Sequence, residues 1–364
     1  MTSAPVPDQF YRAFEDRHRG SRELIKERLR AYLPFMTALS GLYPALPALD
    51  VGCGRGEWLE LLLDYRITAH GVDTDEGMLA ACRERGLSVA AAEAISHLES
   101  LASHSLLAVT GFHIAEHLPF HSLQALFIQA RRVIVPGGLL ILETPNPENL
   151  LVGSASFYID PTHQRPLPSQ LLAFLAEHQE FSPVKVMRLQ EERRLAENGP
   201  ASLYDVLGNV SPDYAVVAQV PLASYAFSAE SEYFVDQLRQ AFEGGHGISL
   251  LTLANRFDKQ LQHKASEHLA VAHAAQTKAE EAIDQVTQTN TNFQHLDADF
   301  SHMKKDIEQV KAGIQQASND LRQMSVCAQQ LMDELTSTYA SHSWYITRPL
   351  RWLARIFRNM AGKS

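Results

Sequence analysis

The sequence predicts an open α/β domain followed by a long coiled coil. Three observations carry this. Ala48-Leu49-Asp50-Val51 reads as a short buried strand that passes through Gly52, Gly54 and Gly56 into an apolar helix beginning at Trp58. Short apolar strands then alternate with amphipathic stretches as far as about residue 222. Beyond that, apolar residues step by three and four from Leu261 to Leu335 without a slip in phase.

Residues 1–45 read as a helical arm. Phe10 to Arg22 mixes aromatics with arginines, Arg12 and Arg19 among them, and Ser21 is placed to cap a helix through Leu24, Ile25, Arg28, Leu29 and Tyr32. Either the arm lies over the site and holds an anionic substrate through Arg12 and Arg19, or it is a solvated helix on the sheet edge. The domain proper, 46–222, opens with the glycine turn. Alternate glycines let backbone approach a ligand, and the first helical N–H groups then point at it. No Gly-Lys-Ser/Thr follows, and the spacing is not G-x-G-x-x-G, so phosphate-loop and dinucleotide fingerprints both fit poorly. Asp50, two residues before Gly52, suits a ligand that carries a cation.

The second strand, Ala69 to Asp73, ends on an acid. Ligands in open α/β sheets lie beyond the carboxyl ends of strands, where Asp73 can bind both hydroxyls of a ribose. Helix Glu76 to Arg85 stops at Gly86. A third strand, Leu87 to Ala92, leads to Glu93-Ala94, where the acid either faces the ligand or caps the next helix. The fourth strand, Ser105 to Gly111, is followed at once by Phe112-His113-Ile114-Ala115-Glu116-His117-Leu118-Pro119. His113, Glu116 and His117 thus fall just past a buried strand, where a histidine near neutral pH can take a proton. Helix Leu123 to Val133 turns at Pro136-Gly137-Gly138 into a fifth strand, Leu139 to Glu143. A rigid loop containing Asn146 comes next, then a long proline-punctuated loop containing Tyr158 and His163. Long ordered loops in compact domains are usually functional. Helix Ser169 to Glu177 and strands Val184 to Leu189 and Tyr214 to Val220 complete a seven-stranded sheet. Residues 223–260 read as a junction, broken at Gly244-Gly245-His246-Gly247.

The coiled coil, 261–338, has one seam of Ala265, Ala272, Ala279, Val286, Phe293, Phe300, Ile307, Ile314, Leu321, Ala328 and Leu335. The interleaved set from Leu261 to Leu331 is apolar except at His268 and Thr289. Such a stripe is too narrow and too long for a globular helix, and at 1.5 Å per residue it would run roughly 110 Å. A homo-oligomer through this seam is the expectation, with a helix folded back on its own domain as the alternative. The tail, 339–364, changes character. Leu350, Leu353, Ile356 and Phe357 share one helical face, arginines surround it, and no acid follows Trp344. A basic amphipathic helix of this kind suits an anionic membrane surface or a partner protein.

A formal net charge of −10 over 364 residues argues against nucleic acid as a partner. Cys53, Cys82 and Cys327 are widely separated and lack metal-site spacing, which fits a reducing, cytoplasmic setting. No secretory leader is expected at Met1 to Gln9, and no apolar run is long enough to span a membrane.

The run Asp50-x-Gly52-x-Gly54-x-Gly56 resembles the first motif of class I S-adenosylmethionine methyltransferases. The resemblance implies a seven-stranded Rossmann-like sheet with strand seven antiparallel. It also implies S-adenosyl-L-methionine as cofactor, its methionine end shaped by Asp50, Gly52, Gly54 and Gly56, with His113 beside it. Asp73 would then hold the ribose, and Glu93 with Ala94 the adenine. The stretch from His113 to His117 resembles the Glu-x-x-Glu-His of ubiquinone-pathway and small-RNA O-methyltransferases, which holds a divalent ion. Here His113 replaces the first glutamate, so no metal is assigned, although His163 would be a fourth ligand.

Longer segments at Tyr11 to Glu15, 19–25, 111–118, 143–150 and 158–163 are similar to the methyltransferase domain of bacterial O-antigen chain-terminating enzymes, over about residues 10–220. That similarity implies methyl transfer to a sugar hydroxyl at the end of a lipid-linked surface glycan, capping its growth. Glu116, His117 and His163 would activate the acceptor, and Arg12, Arg19, Tyr158 and Asn146 would bind it. The coil would set the distance to a membrane glycosyltransferase, with the protein peripheral on the inner face of the cytoplasmic membrane. Two other readings stay open: a non-catalytic scaffold for such an assembly, and a small-molecule or quinone O-methyltransferase.

Overall fold

In the computed structural model the glycine turn sits at the centre of a seven-stranded sheet of order β3-β2-β1-β4-β5-β7-β6. The described residues are 20–222, 229–293 and 300–340, so Arg12, Arg19 and the basic tail from 341 lie outside them. Strands β1 (Ala48–Val51), β2 (Ala69–Asp73) and β3 (Val89–Ala91) run parallel, as do β4 (Leu106–Phe112) and β5 (Ile134–Pro145). β7 (Asp213–Gln219) is antiparallel to both β5 and β6 (Val184–Leu189). The winding reverses between β1 and β4, which opens a crevice beyond their carboxyl ends.

Two apolar layers cover the sheet. On one face Leu98, Leu123, Phe127 and Leu172 pack from helices Ala94–Ser100, Phe120–Val133 and Ser169–His178. On the other, Tyr32, Phe35, Leu39, Trp58, Leu61 and Leu238 pack from the arm, from helix Glu57–Asp64 and from helix Ala229–Glu243. The arm is thus part of the core from Arg22 onward. Ser21 caps it by accepting the Leu24 N–H, and Arg22 clamps it to the Arg55 carbonyl at 2.7 Å and to Glu60 at 2.8 Å.

Two stretches differ from the sequence reading. β5 begins at Ile134, before the Pro136-Gly137-Gly138 turn, because Ile134 pairs with Leu106 across a register shift. Much of the expected junction is ordered structure. Helix Ala229–Glu243 packs on helix Leu33–Leu42, where a Cβ on Gly41 would come 2.2 Å from the Phe234 ring and the Phe35 and Phe242 rings meet at 5.3 Å. Leu253 is buried with Leu195, Val210 and Ile248, and Arg256 donates to the Leu195 carbonyl at 2.8 Å.

The chain divides into two units, residues 1–262 and 263–364. The second is helical over 263–293 and again over Phe300–Ala340. Its predicted seam residues Val310, Ile314, Leu321, Met324, Leu331 and Leu335 are all solvent-exposed in the single chain. Among the described residues no helix is long and apolar enough to cross a membrane.

Candidate active site

The glycine turn is held open by backbone conformation. Gly52, Gly54 and Gly56 have φ of 69°, 49° and 76°, the left-handed region that disfavours any side chain. Two of them also lack room. A Cβ at Gly52 would meet Ile114 at 2.8 Å, and one at Gly56 would meet Leu87 at 2.7 Å and Cys82 at 2.8 Å. Asp50 is buried at the end of β1, and its Oδ1 accepts the Thr110 hydroxyl at 2.8 Å. Asp73, at the end of β2, accepts the N–H groups of Gly54 and Asp75, each at 2.8 Å, so one carboxylate links the turn to the neighbouring strand. Glu93 is exposed and caps helix Ala94–Ser100, accepting the Ser96 N–H at 2.8 Å; Ala94 is buried behind it.

A cavity of about 450 Å³ starts at Asp50, Gly52 and Cys53 and runs across the ends of β4 and β5 to His113, His117 and His163. Ile25, Arg28 and Leu29 of the arm close one side, and Glu143, Asp213, Gln190 and Asp160 line the far wall. His113 sits in a left-handed backbone conformation, φ 57°, and its ring lies 3.3 Å from Glu116, 3.5 Å from Glu143 and 4.0 Å from Asp213. Tyr32 donates its hydroxyl to Glu143 from within the core.

Burial opposes a charge on His113, but the surrounding Glu116, Glu143 and Asp213 outweigh it and hold its imidazolium well above the usual range. His117 shifts the other way: burial lowers it, so it is neutral near pH 7. Asp213 is pushed up to about 6, first by burial and then by Glu143, against the pull of His113.

Partner chemistry fixes two tautomers. His163 Nδ1 is 2.6 Å from the Phe157 carbonyl, which only accepts, so Nδ1 carries a hydrogen and the neutral form of the ring has its lone pair at Nε2. The Thr162 hydroxyl is 2.6 Å from Asp160 Oδ1 and 2.9 Å from His117 Nδ1. Its one hydrogen goes to the carboxylate, so neutral His117 donates from Nδ1 and keeps its lone pair at Nε2. Glu116 is 1% exposed; its Oε2 accepts the Thr144 hydroxyl at 2.8 Å.

Residues 49–142 match the family model described as a methyltransferase domain. A curated protein of Mycolicibacterium smegmatis, named "Probable S-adenosylmethionine-dependent methyltransferase", is 30% identical over 150 residues, which cover 41% of this chain and 57% of that protein. The crystal structure of a SAM-dependent methyltransferase from Archaeoglobus fulgidus is 32% identical. It matches over 58% of this chain and 99% of its own length, with a TM-score of 0.51. This chain belongs to the S-adenosylmethionine-dependent methyltransferases. Its cofactor is S-adenosylmethionine, and the turn fits it. Two carboxylates, Asp50 and Asp73, stand at the ends of adjacent strands beside a turn with glycine at every second position, and the cavity opens directly from Asp50 and Gly52.

The methyltransferase fold brings Asp50, Gly52, His113, His117 and His163 to one cavity, with Glu116 buried behind the imidazoles. Tyr158 is exposed beside Ile159, which lines that cavity. Asn146, expected at the acceptor, is tied into its own loop. It is 1% exposed, donates to the Ser211 carbonyl at 2.8 Å and accepts the Glu148 N–H at 3.1 Å, so these two bonds shape the loop. Reading the sequence did not single out Asp213, Glu143, Gln190, Asp160 or Arg28. For Asp213 the reason is topological: an antiparallel strand delivers its first residue, not its last, to the carboxyl edge, and Asp213 pairs with Pro145. The signal available was Pro212-Asp213 opening a run of buried residues.

Proposed function

We propose that this chain transfers the methyl group of S-adenosylmethionine to a sugar hydroxyl of a lipid-linked bacterial surface glycan of the O-antigen kind, ending its growth. The carrying observation is the polar lining of the cavity beyond Asp50. Glu143, Asp160, Asp213, His113, His117, His163 and Gln190 give it a dense set of hydrogen-bonding groups. Carboxylates accept from neighbouring hydroxyls, the His113 imidazolium donates, and the neutral forms of His117 and His163 each offer a lone pair at Nε2, which matches a polyhydroxylated ring. Isoleucine, leucine and aromatic side chains on the arm side exclude water from the transfer.

The residues divide the work. The glycine turn, Asp50 and Asp73 hold the cofactor, which supplies an electrophilic methyl group. Asp213 and Glu143 orient the acceptor ring, and the lone pairs of His117 and His163 face the hydroxyl that must lose its proton. Asp160 and Thr162 fix the His117 ring, so no reorganisation is needed at the moment of transfer. Beyond the domain, the seam of the second unit suits self-association, and the basic tail suits an anionic membrane or a glycosyltransferase. Both would keep catalysis at a fixed distance from the growing chain. Glu93 with Ala94 at the adenine, and Arg12, Arg19 and Tyr158 at the acceptor, complete this reading.

Methyl-labelled cofactor, offered with lipid-linked glycan and separately with a quinone or phenol, tests it. Label is expected on glycan hydroxyls alone. Label on the phenol only would replace this reading with small-molecule methylation. Cofactor binding without label anywhere would leave a scaffold.

A further inference from the structure

We infer that Arg22 is a positioning residue for the cofactor: it holds the glycine turn in its ligand-binding shape, and through it cofactor binding is linked to the arm that closes the cavity. Gly52, Gly54 and Gly56 have left-handed backbone, which glycine tolerates but does not enforce, so contacts from outside the turn must select that shape. Asp73 supplies one by accepting the Gly54 N–H at 2.8 Å. One residue on, Arg22 Nη1 donates to the Arg55 carbonyl at 2.7 Å. A guanidinium bond of this kind is charge-assisted and stronger than a neutral one. The tie runs both ways, since Arg55 Nη2 donates to the Gly20 carbonyl at 3.2 Å, just before the arm helix. Buried Glu57 joins the two guanidiniums, 2.8 Å from Arg55 Nε and 3.4 Å from Arg22 Nη1. Its carboxylate offsets two positive charges that would otherwise repel, and it too lines the cavity. Arg22 Nη2 goes to Glu60 at 2.8 Å, so the fork ends on a carbonyl of the turn and a carboxylate of the helix that follows.

The arm helix, Arg22–Leu29, has a second attachment to the site. Ile25 and Leu29, three and seven residues on from Arg22, line the cavity together with Arg28. A helix pinned to the cofactor turn at its first residue therefore carries the side chains that close one side of the cavity. Linkage makes the coupling reciprocal: if the docked arm favours cofactor, cofactor favours the docked arm by the same factor. Lys26 is the contrast. Its ion pairs, to Glu60 at 3.7 Å and Asp64 at 2.9 Å, tie the same helix to helix Glu57–Asp64 and miss the turn.

Calorimetric S-adenosylmethionine binding and amide hydrogen exchange on the full chain test this together. Arg22→Ala should weaken cofactor binding about tenfold or more, because the turn loses a hydrogen bond to a charged group. Lys26→Ala should speed exchange at residues 24–29 yet bind cofactor within about threefold of the unchanged chain. Arg22→Lys keeps the charge beside Glu57 and Glu60 without the fork, so it should recover thermal stability more fully than cofactor affinity. That variant also stands in should Arg22→Ala not fold. Saturating cofactor should slow exchange at 24–29 in the unchanged chain, and slow it much less in the Arg22 variants. Cofactor affinity that is unchanged in both Arg22 variants, or that falls as far in Lys26→Ala, overturns the positioning role. Exchange at 24–29 that does not respond to cofactor overturns the link to the arm. Each readout is taken without an acceptor, so failure of the glycan reading leaves this one standing.

Discussion

Gly56→Ala separates the structural work of the glycine turn from its ligand work. The alanine must adopt φ near 76°, which costs about 1–2 kcal/mol for an L-residue. Its Cβ would stand 2.7 Å from Leu87 and 2.8 Å from Cys82, both buried, and such overpacking costs about 1–3 kcal/mol. Alanine also restricts the unfolded chain, which returns about 0.4–1 kcal/mol. The net loss is about 2–4 kcal/mol, or roughly 5–15 °C in the melting midpoint of a domain this size. Thermal and urea unfolding of Gly56→Ala, Leu87→Ala and the double variant measure it. The Leu87 contact predicts that Gly56→Ala costs about 1 kcal/mol less when Leu87 is already alanine. Cofactor affinity, measured well below the melting range, should fall far less than stability does. A variant that melts with the unchanged protein, or one that keeps its stability and loses cofactor, would refute this account of Gly56.

Asp213 predicts a pH dependence. Its folded-state value, about 6, lies above the unfolded value of about 3.9, so the native chain binds the extra proton between them. That contribution is fully present below about pH 4 and is lost as pH rises through 6, a difference of up to about 3 kcal/mol. Asp213→Asn should therefore match the unchanged chain near pH 4 and be the more stable of the two near pH 7.5. An equal gap at both pH values, or a reversed one, refutes the burial argument. In the second unit, Ile314→Asp with Leu321→Asp should convert an oligomer to a monomer in sedimentation. A monomeric unchanged chain would dispose of the seam as an interface.

Where structure follows from local chemistry, the sequence was enough to read it. β1, β2 and β6 fall on the expected residues, because a buried strand bounded by Pro, Gly or a turn has few alternatives. The glycine turn was legible by spacing, but the spacing did not show that all three glycines need left-handed backbone or that Gly56 is packed from behind. The acceptor side was half legible. His113, Glu116, His117 and His163 announce themselves as polar residues after a buried strand or in a long loop. The attachments of His113 to Glu143 and Asp213, and of His117 to Thr162 45 residues on, depend on which groups the fold brings close, and such distant neighbours leave no local trace. Asn146 shows the converse: a polar residue in a loop beside the site bonds backbone groups.

The central claim is a division of labour, with cofactor held at the glycine turn and acceptor activated at the imidazoles. Calorimetric S-adenosylmethionine binding, run beside label transfer to glycan for His117→Ala and His163→Ala, tests it most directly. The account predicts cofactor affinity within about threefold of the unchanged chain and transfer reduced at least about a hundredfold in each. Transfer that persists with both imidazoles removed would contradict it, as would loss of cofactor binding in either variant.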